Sequence, residues 1–207
     1  MYSSNLLIVL GFLGYFIIIF INNKYSNKID GFNATKDILN EYNQINIIEN
    51  KSIFTIYNLK RKVIKISSKC YYGNSVSSVS IPLIEAGISA SNNKYLNIFS
   101  KIINNLKYLY ILPIIAILIN SITFNIGDAR IGLFLLTFFS IITYMLVDIK
   151  DFSYIWLCNN IKKIKNIDKD KVLNFISKIV LFDKLIFFGE LIMIARFILI
   201  LFQINNI

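Results

Sequence analysis

The chain has 207 residues, 56% of them hydrophobic, a mean hydropathy of +0.60 and a formal charge of +10, where an ordinary soluble domain holds about 45–50% apolar residues. It contains no histidine, which excludes a His-ligated zinc site, a Ser-His dyad and a Cys-His dyad. Its two cysteines, Cys70 and Cys158, cannot build a Cys-only structural zinc site and do not read as a disulfide framework. Lysine outnumbers arginine 19 to 3 and there are 24 asparagines; an AT-rich genome produces this bias without functional demand, so it is not read as a low-complexity device.

In chain order, the first feature is an apolar run from Leu6 to Ile21 that ends at Asn22-Asn23-Lys24. No charged side chain precedes it and no small-residue cleavage motif follows, so residues 1–24 read as an uncleaved anchor rather than a signal peptide. Residues 25–107 are polar and mixed. Asn33 to Tyr42 predicts a helix capped by Asn33 or Thr35, with Ala34, Ile38 and Leu39 on one face. Ile45 to Ile48, Ser52 to Tyr57 and Lys62 to Ser67 predict short strands, the last two joined as a hairpin by Asn58-Leu-Lys-Arg61. Ser75 to Ala90 predicts a helix kinked at Pro82, and Asn92 to Lys107 a second one.

Three further apolar runs follow: Tyr108 to Phe124, Ile131 to Val147 and Leu185 to Ile204. The four runs hold 16, 17, 17 and 20 residues, against the roughly 17–25 a helix needs to cross a bilayer. They predict a transmembrane hairpin over 108–147, a helical cytoplasmic segment over 148–184 and a last transmembrane helix over 185–207. Residues 22–107 carry 12 Lys/Arg and residues 148–184 carry 8. The positive-inside rule puts both segments in the cytoplasm and both termini outside. The expected fold is thus an α-helical integral membrane protein of four transmembrane helices with a small cytoplasmic α+β head. The basic charge points to the lipid bilayer as partner. No aromatic-interleaved basic platform accompanies it, so nucleic acid is excluded. Tyr154 and Trp156, just past the third run, fit an interfacial aromatic position.

A resemblance emerges between Tyr57 and Ser91. Tyr57-Asn-Leu-Lys-Arg-Lys-Val-Ile-Lys-Ile-Ser67, Tyr71-Tyr-Gly73 and Ser75-Val-Ser-Ser-Val79 resemble the YugP-like family of membrane-bound neutral zinc metallopeptidases. Looser similarity extends to Ala34, Ile38 and Leu39 upstream and to Lys171-Val-Leu-Asn174 downstream. The resemblance implies a bacterial plasma-membrane protein with a zincin-like head. Where that family has His-Glu-x-Gly-His, this chain reads Ile84-Glu85-Ala86-Gly87-Ile88. Both histidine ligand positions are isoleucine, and Glu85 remains at the general-base position. Where the family carries its third ligand, in a Glu-Phe-Asn-Ala pattern, this chain has Asp151-Phe152-Ser153-Tyr154.

Without its histidines the site is a poor zinc site, and carboxylates alone suit Mg²⁺ or Ca²⁺ better. The expectation is a catalytically inactive pseudopeptidase, with zinc lost, no resident cofactor and Glu85 vestigial. Such a protein acts as a membrane-associated binding or regulatory protein whose partner is another protein or an active paralogue. Glu190 and Arg196 inside the fourth run carry a different reading, a small transporter or membrane-permeabilising protein. A residual carboxylate-metal hydrolase on Glu85 and Asp151 is a third.

Overall fold

The computed structural model describes residues 2–40, 45–52, 55–58, 61–90 and 126–205. Helix α1 (Tyr2–Asn22) contains no charged side chain. It ends as the Asn22 amide donates to the Ile18 carbonyl at 2.8 Å. Helix α2 (Gly31–Leu39) is capped by Asp30, whose carboxylate accepts the Asn33 N–H at 2.7 Å. The cap therefore lies three residues upstream of Asn33. Thr35 does not cap; its hydroxyl donates back to the Gly31 carbonyl. Ala34, Ile38 and Leu39 are buried, as their spacing requires.

Three strands form one sheet, β1 (Asn46–Asn50), β2 (Ile56–Asn58) and β3 (Val63–Ser67), in the order β1-β3-β2. The β2–β3 hairpin is antiparallel with Tyr57 opposite Ile64, and β1 lies parallel to β3 with Ile47 opposite Ile64. In β3, Ile64 and Ile66 are fully buried while Lys65 between them is not, the alternation a half-buried strand gives. A short helix α3 (Ser68–Tyr71) leads through Gly73 to α4 (Val76–Ala90). The linker after α1 is stitched to this turn, with Asn27 N–H donating to the Asn74 carbonyl and Gly31 N–H to that of Gly73. Pro82 offers no N–H to the Ser78 carbonyl one turn earlier. Gly31 approaches that carbonyl so closely that a Cβ there would stand 2.7 Å from it.

Two long helices complete the fold. Helix α5 (Ile126–Asn160) passes through a 3-10 turn at Ile161–Lys163, and α6 (Lys169–Asn205) follows. Asp168 starts α6 by accepting the Lys171 N–H, and its own N–H donates to the Asn27 side chain at 2.9 Å. The α6 helix packs on both α1 and α5 and also meets α4. The main core gathers Val76, Val79 and Leu83 of α4, Leu157 of α5 and Val172, Phe175, Ile176 and Ile179 of α6 around Ile38, Ile64 and Ile66.

The expected four transmembrane helices are not supported. Among the described residues no helix is long and apolar enough to cross a membrane. The apolar side chains of these helices divide between a helix–helix core and an outer face. Ile8 and Ile18 of α1, Leu136, Ile142 and Val147 of α5 and Ile186 and Met193 of α6 are buried. The apolar runs are thus partly a helix–helix core, and counting them by length alone overstates the apolar surface left over. The run 108–124 and the helix expected over 92–107 lie outside the described residues.

Candidate functional site

The motif positions sit where α4 crosses α5. Glycine at 87 permits the crossing: the Ser153 Cα of α5 lies 3.0 Å from where a Gly87 Cβ would stand. Ser153 is fully buried and its hydroxyl donates to the Ile84 carbonyl at 2.7 Å. Ile84 is buried in the main core. Ile88 packs against that core and also against Ile149 of α5. Both isoleucines thus fill apolar space between the helices.

Glu85 projects elsewhere. Its Oε2 accepts the Tyr57 N–H at 2.8 Å, so the carboxylate ties the edge strand β2 to α4. An edge strand leaves backbone donors unpaired, and a charge-assisted hydrogen bond satisfies one of them strongly. Asp151 makes an ion pair with Lys184 of α6 at 2.5 Å. Glu85 and Asp151 are therefore held by different elements. Among the described residues no group of three or more His, Cys, Asp or Glu side chains is gathered to hold a metal ion. The residues at these positions do not fit zinc: two are hydrocarbon, and the two carboxylates are bound to a backbone amide and a lysine.

Beside the motif lies a polar centre that the sequence did not reveal. Lys150 of α5 pairs with Asp183 of α6 at 2.6 Å, with only 19% and 8% of the side chains exposed. The Lys150 ammonium also stands 5.5 Å from the ring centroid of Tyr15 on α1. Burial pushes the Asp183 carboxyl up, against the opposing pull of Lys150. Burial likewise raises Tyr15, opposed by Lys150 and reinforced by the charges of Asp183 and Glu85. Nothing in the spacing of Lys150 and Asp183, 33 residues apart, announces the pair; it follows only from the packing of two long helices.

The remaining charges separate. Arg196 is half-exposed. Glu190 is only 4% exposed, and Thr143 donates to its Oε1 at 3.1 Å. Cys70 is buried and Cys158 exposed. Tyr154 and Trp156 pack against the main core. No family model, no curated protein and no solved structure matches the chain.

Proposed function

We propose that this chain is a non-catalytic binding protein built on a metallopeptidase-like scaffold, associated with lipid. One observation carries the non-catalytic half: at the motif, Ile84 and Ile88 fill apolar space and Glu85 is bound to the Tyr57 amide. A hydrolytic zinc site needs an open coordination position and a carboxylate aimed at the metal-bound water, and the side chains here are otherwise engaged.

The outer helix faces support lipid as the partner. Leu10, Leu13, Phe16, Ile17 and Phe20 of α1 are 47–71% exposed, and α1 carries no charge to interrupt them. Phe134 of α5 and Leu199 of α6 are exposed as well. The α1 stripe ends at Lys24, whose ammonium lies 5.2 Å from the Phe20 ring centroid, and the chain carries +10 overall. Hydrocarbon beside basic charge matches acyl chains beside anionic headgroups.

The test is twofold. The full-length chain, incubated with zinc and unstructured protein substrates, is expected to leave them intact; zinc-dependent cleavage lost in Glu85→Gln overturns the non-catalytic reading. Flotation with vesicles containing anionic lipid is expected to carry the chain upward. A chain that stays down and runs as a dimer shows instead that a second copy covers the apolar faces.

A further inference from the structure

Among the described residues, three side chains bury a polar atom with no hydrogen-bond partner: Asn27 Nδ2, Ser140 Oγ and Glu190 Oε2. Two of them meet between α5 and α6. Thr143 on α5 donates to Glu190 Oε1 of α6, and Ser140 lies one turn before Thr143 on the same face of α5. Ser140 is near enough to favour the ionised carboxyl, yet its Oγ forms no hydrogen bond. Both Ser140 and Glu190 are 4% exposed, and Thr143 is fully buried.

Among the described residues, a carboxylate in this position finds no counter-charge. Helix α1 offers no charged side chain. On α4 the charged residue is Glu85, bound to β2. On α5, Lys150 is held by Asp183, Asp151 by Lys184, and Asp148 is itself acidic. On α6, Asp183 and Lys184 lie about two turns before Glu190, and Arg196 six residues after it is half-exposed. None of these acts on Glu190; its carboxyl responds to burial first, then to Thr143 and Ser140. An ionised carboxylate without a counter-charge is strongly disfavoured in such surroundings, whereas a neutral acid is not.

We propose that Glu190 is a proton-binding site: it takes up one proton between α5 and α6, so that its buried, unpartnered Oε2 carries a hydrogen in place of an uncompensated charge. Release of the proton leaves a buried carboxylate held at Oε1 by the Thr143 hydroxyl. Proton uptake thereby tightens α5 against α6, and proton loss loosens them. Sodium is the other small cation that oxygen donors could hold. The site offers it one carboxylate and two hydroxyls, fewer oxygens than hard cations take up. This inference is independent of the metallopeptidase resemblance.

Infrared difference spectroscopy of the full-length chain reads the site directly. Between about pH 5 and about pH 9, the carbonyl band of a neutral carboxylic acid is expected to disappear with a midpoint of about 7. The band is expected to be absent in Glu190→Gln and the midpoint unchanged when potassium replaces sodium. Thr143→Val, which removes a hydrogen bond that favours the ionised form, is expected to raise the midpoint by on the order of one pH unit. It retains the carboxyl should Glu190→Gln fail to fold. A band that survives in Glu190→Gln, or a midpoint that Thr143→Val leaves in place, overturns the proposal. A midpoint that falls as sodium is added assigns the site to sodium and overturns it too.

Discussion

Gly87 and Ser153 show how a residue that looks like the remnant of a motif can be explained by packing. A methyl group at position 87 collides with the Ser153 side chain and backbone, and Ser153 cannot retreat without breaking its bond to the Ile84 carbonyl. Gly87→Ala is therefore expected to destabilise the protein by about 1–3 kcal/mol, measured by denaturant unfolding. Glu85 makes the complementary case. Glu85→Ala strips the Tyr57 amide of its acceptor and is expected to cost about 1–3 kcal/mol, while Glu85→Gln keeps an acceptor and is expected to cost less. The sequence places Glu85 between Ile84 and Ile88, but its partner on an edge strand 28 residues away is a tertiary fact that no local pattern encodes.

Glu190 adds a pH dependence at the same scale. Its carboxyl is raised from 4.5 to about 7, chiefly by burial. The folded chain thus binds a proton that the unfolded chain has already released at intermediate pH. This contribution to stability is fully present below about 4.5 and is lost as pH rises through about 7. The loss amounts to roughly 3 kcal/mol once complete. Unfolding midpoints measured across that window are expected to fall with rising pH in the native chain and to stay flatter in Glu190→Gln.

At the scale of elements, the local signals were readable and their assembly was not. The alternation in Val63–Ser67, the hairpin into it and the helix at Val76–Ala90 all follow from side-chain periodicity. The parallel pairing of β1 with β3 does not, because register between distant strands depends on what the helices cover. The Lys150–Asp183 pair joins α5 to α6 beside Tyr15 of α1. Removing one partner strands a buried charge, so Lys150→Met is expected to cost about 3–5 kcal/mol. Lys150→Met with Asp183→Leu is expected to recover most of that loss, because an apolar pair of similar volume is often as stable as the ion pair. A double-mutant cycle in denaturant checks both. Gly11 of α1 serves the same assembly, since a Cβ there would stand 2.5 Å from Ile186 of α6. Gly11→Leu is expected to force α1 off α6, seen as faster proteolysis of the α1 linker.

For the whole molecule, hydrophobic run length proved the misleading signal. The runs 6–21, 131–147 and 185–204 fall within α1, α5 and α6, but length says nothing about which side of each helix faces another. Ile8, Leu136 and Met193 meet in one apolar cluster, while Phe16, Phe134 and Leu199 face outward. The absence of histidine was legible at once, and its consequence became local only when Ile84 and Ile88 were found seated against neighbouring helices. The central proposal is that the chain holds no zinc at Glu85 and Asp151. Elemental analysis of the purified full-length chain, after exposure to zinc and removal of the excess, tests it most directly. Well under about 0.1 zinc per chain is expected, unchanged in Glu85→Gln. Retention of about one zinc per chain, lost in Glu85→Gln or Asp151→Asn, contradicts it.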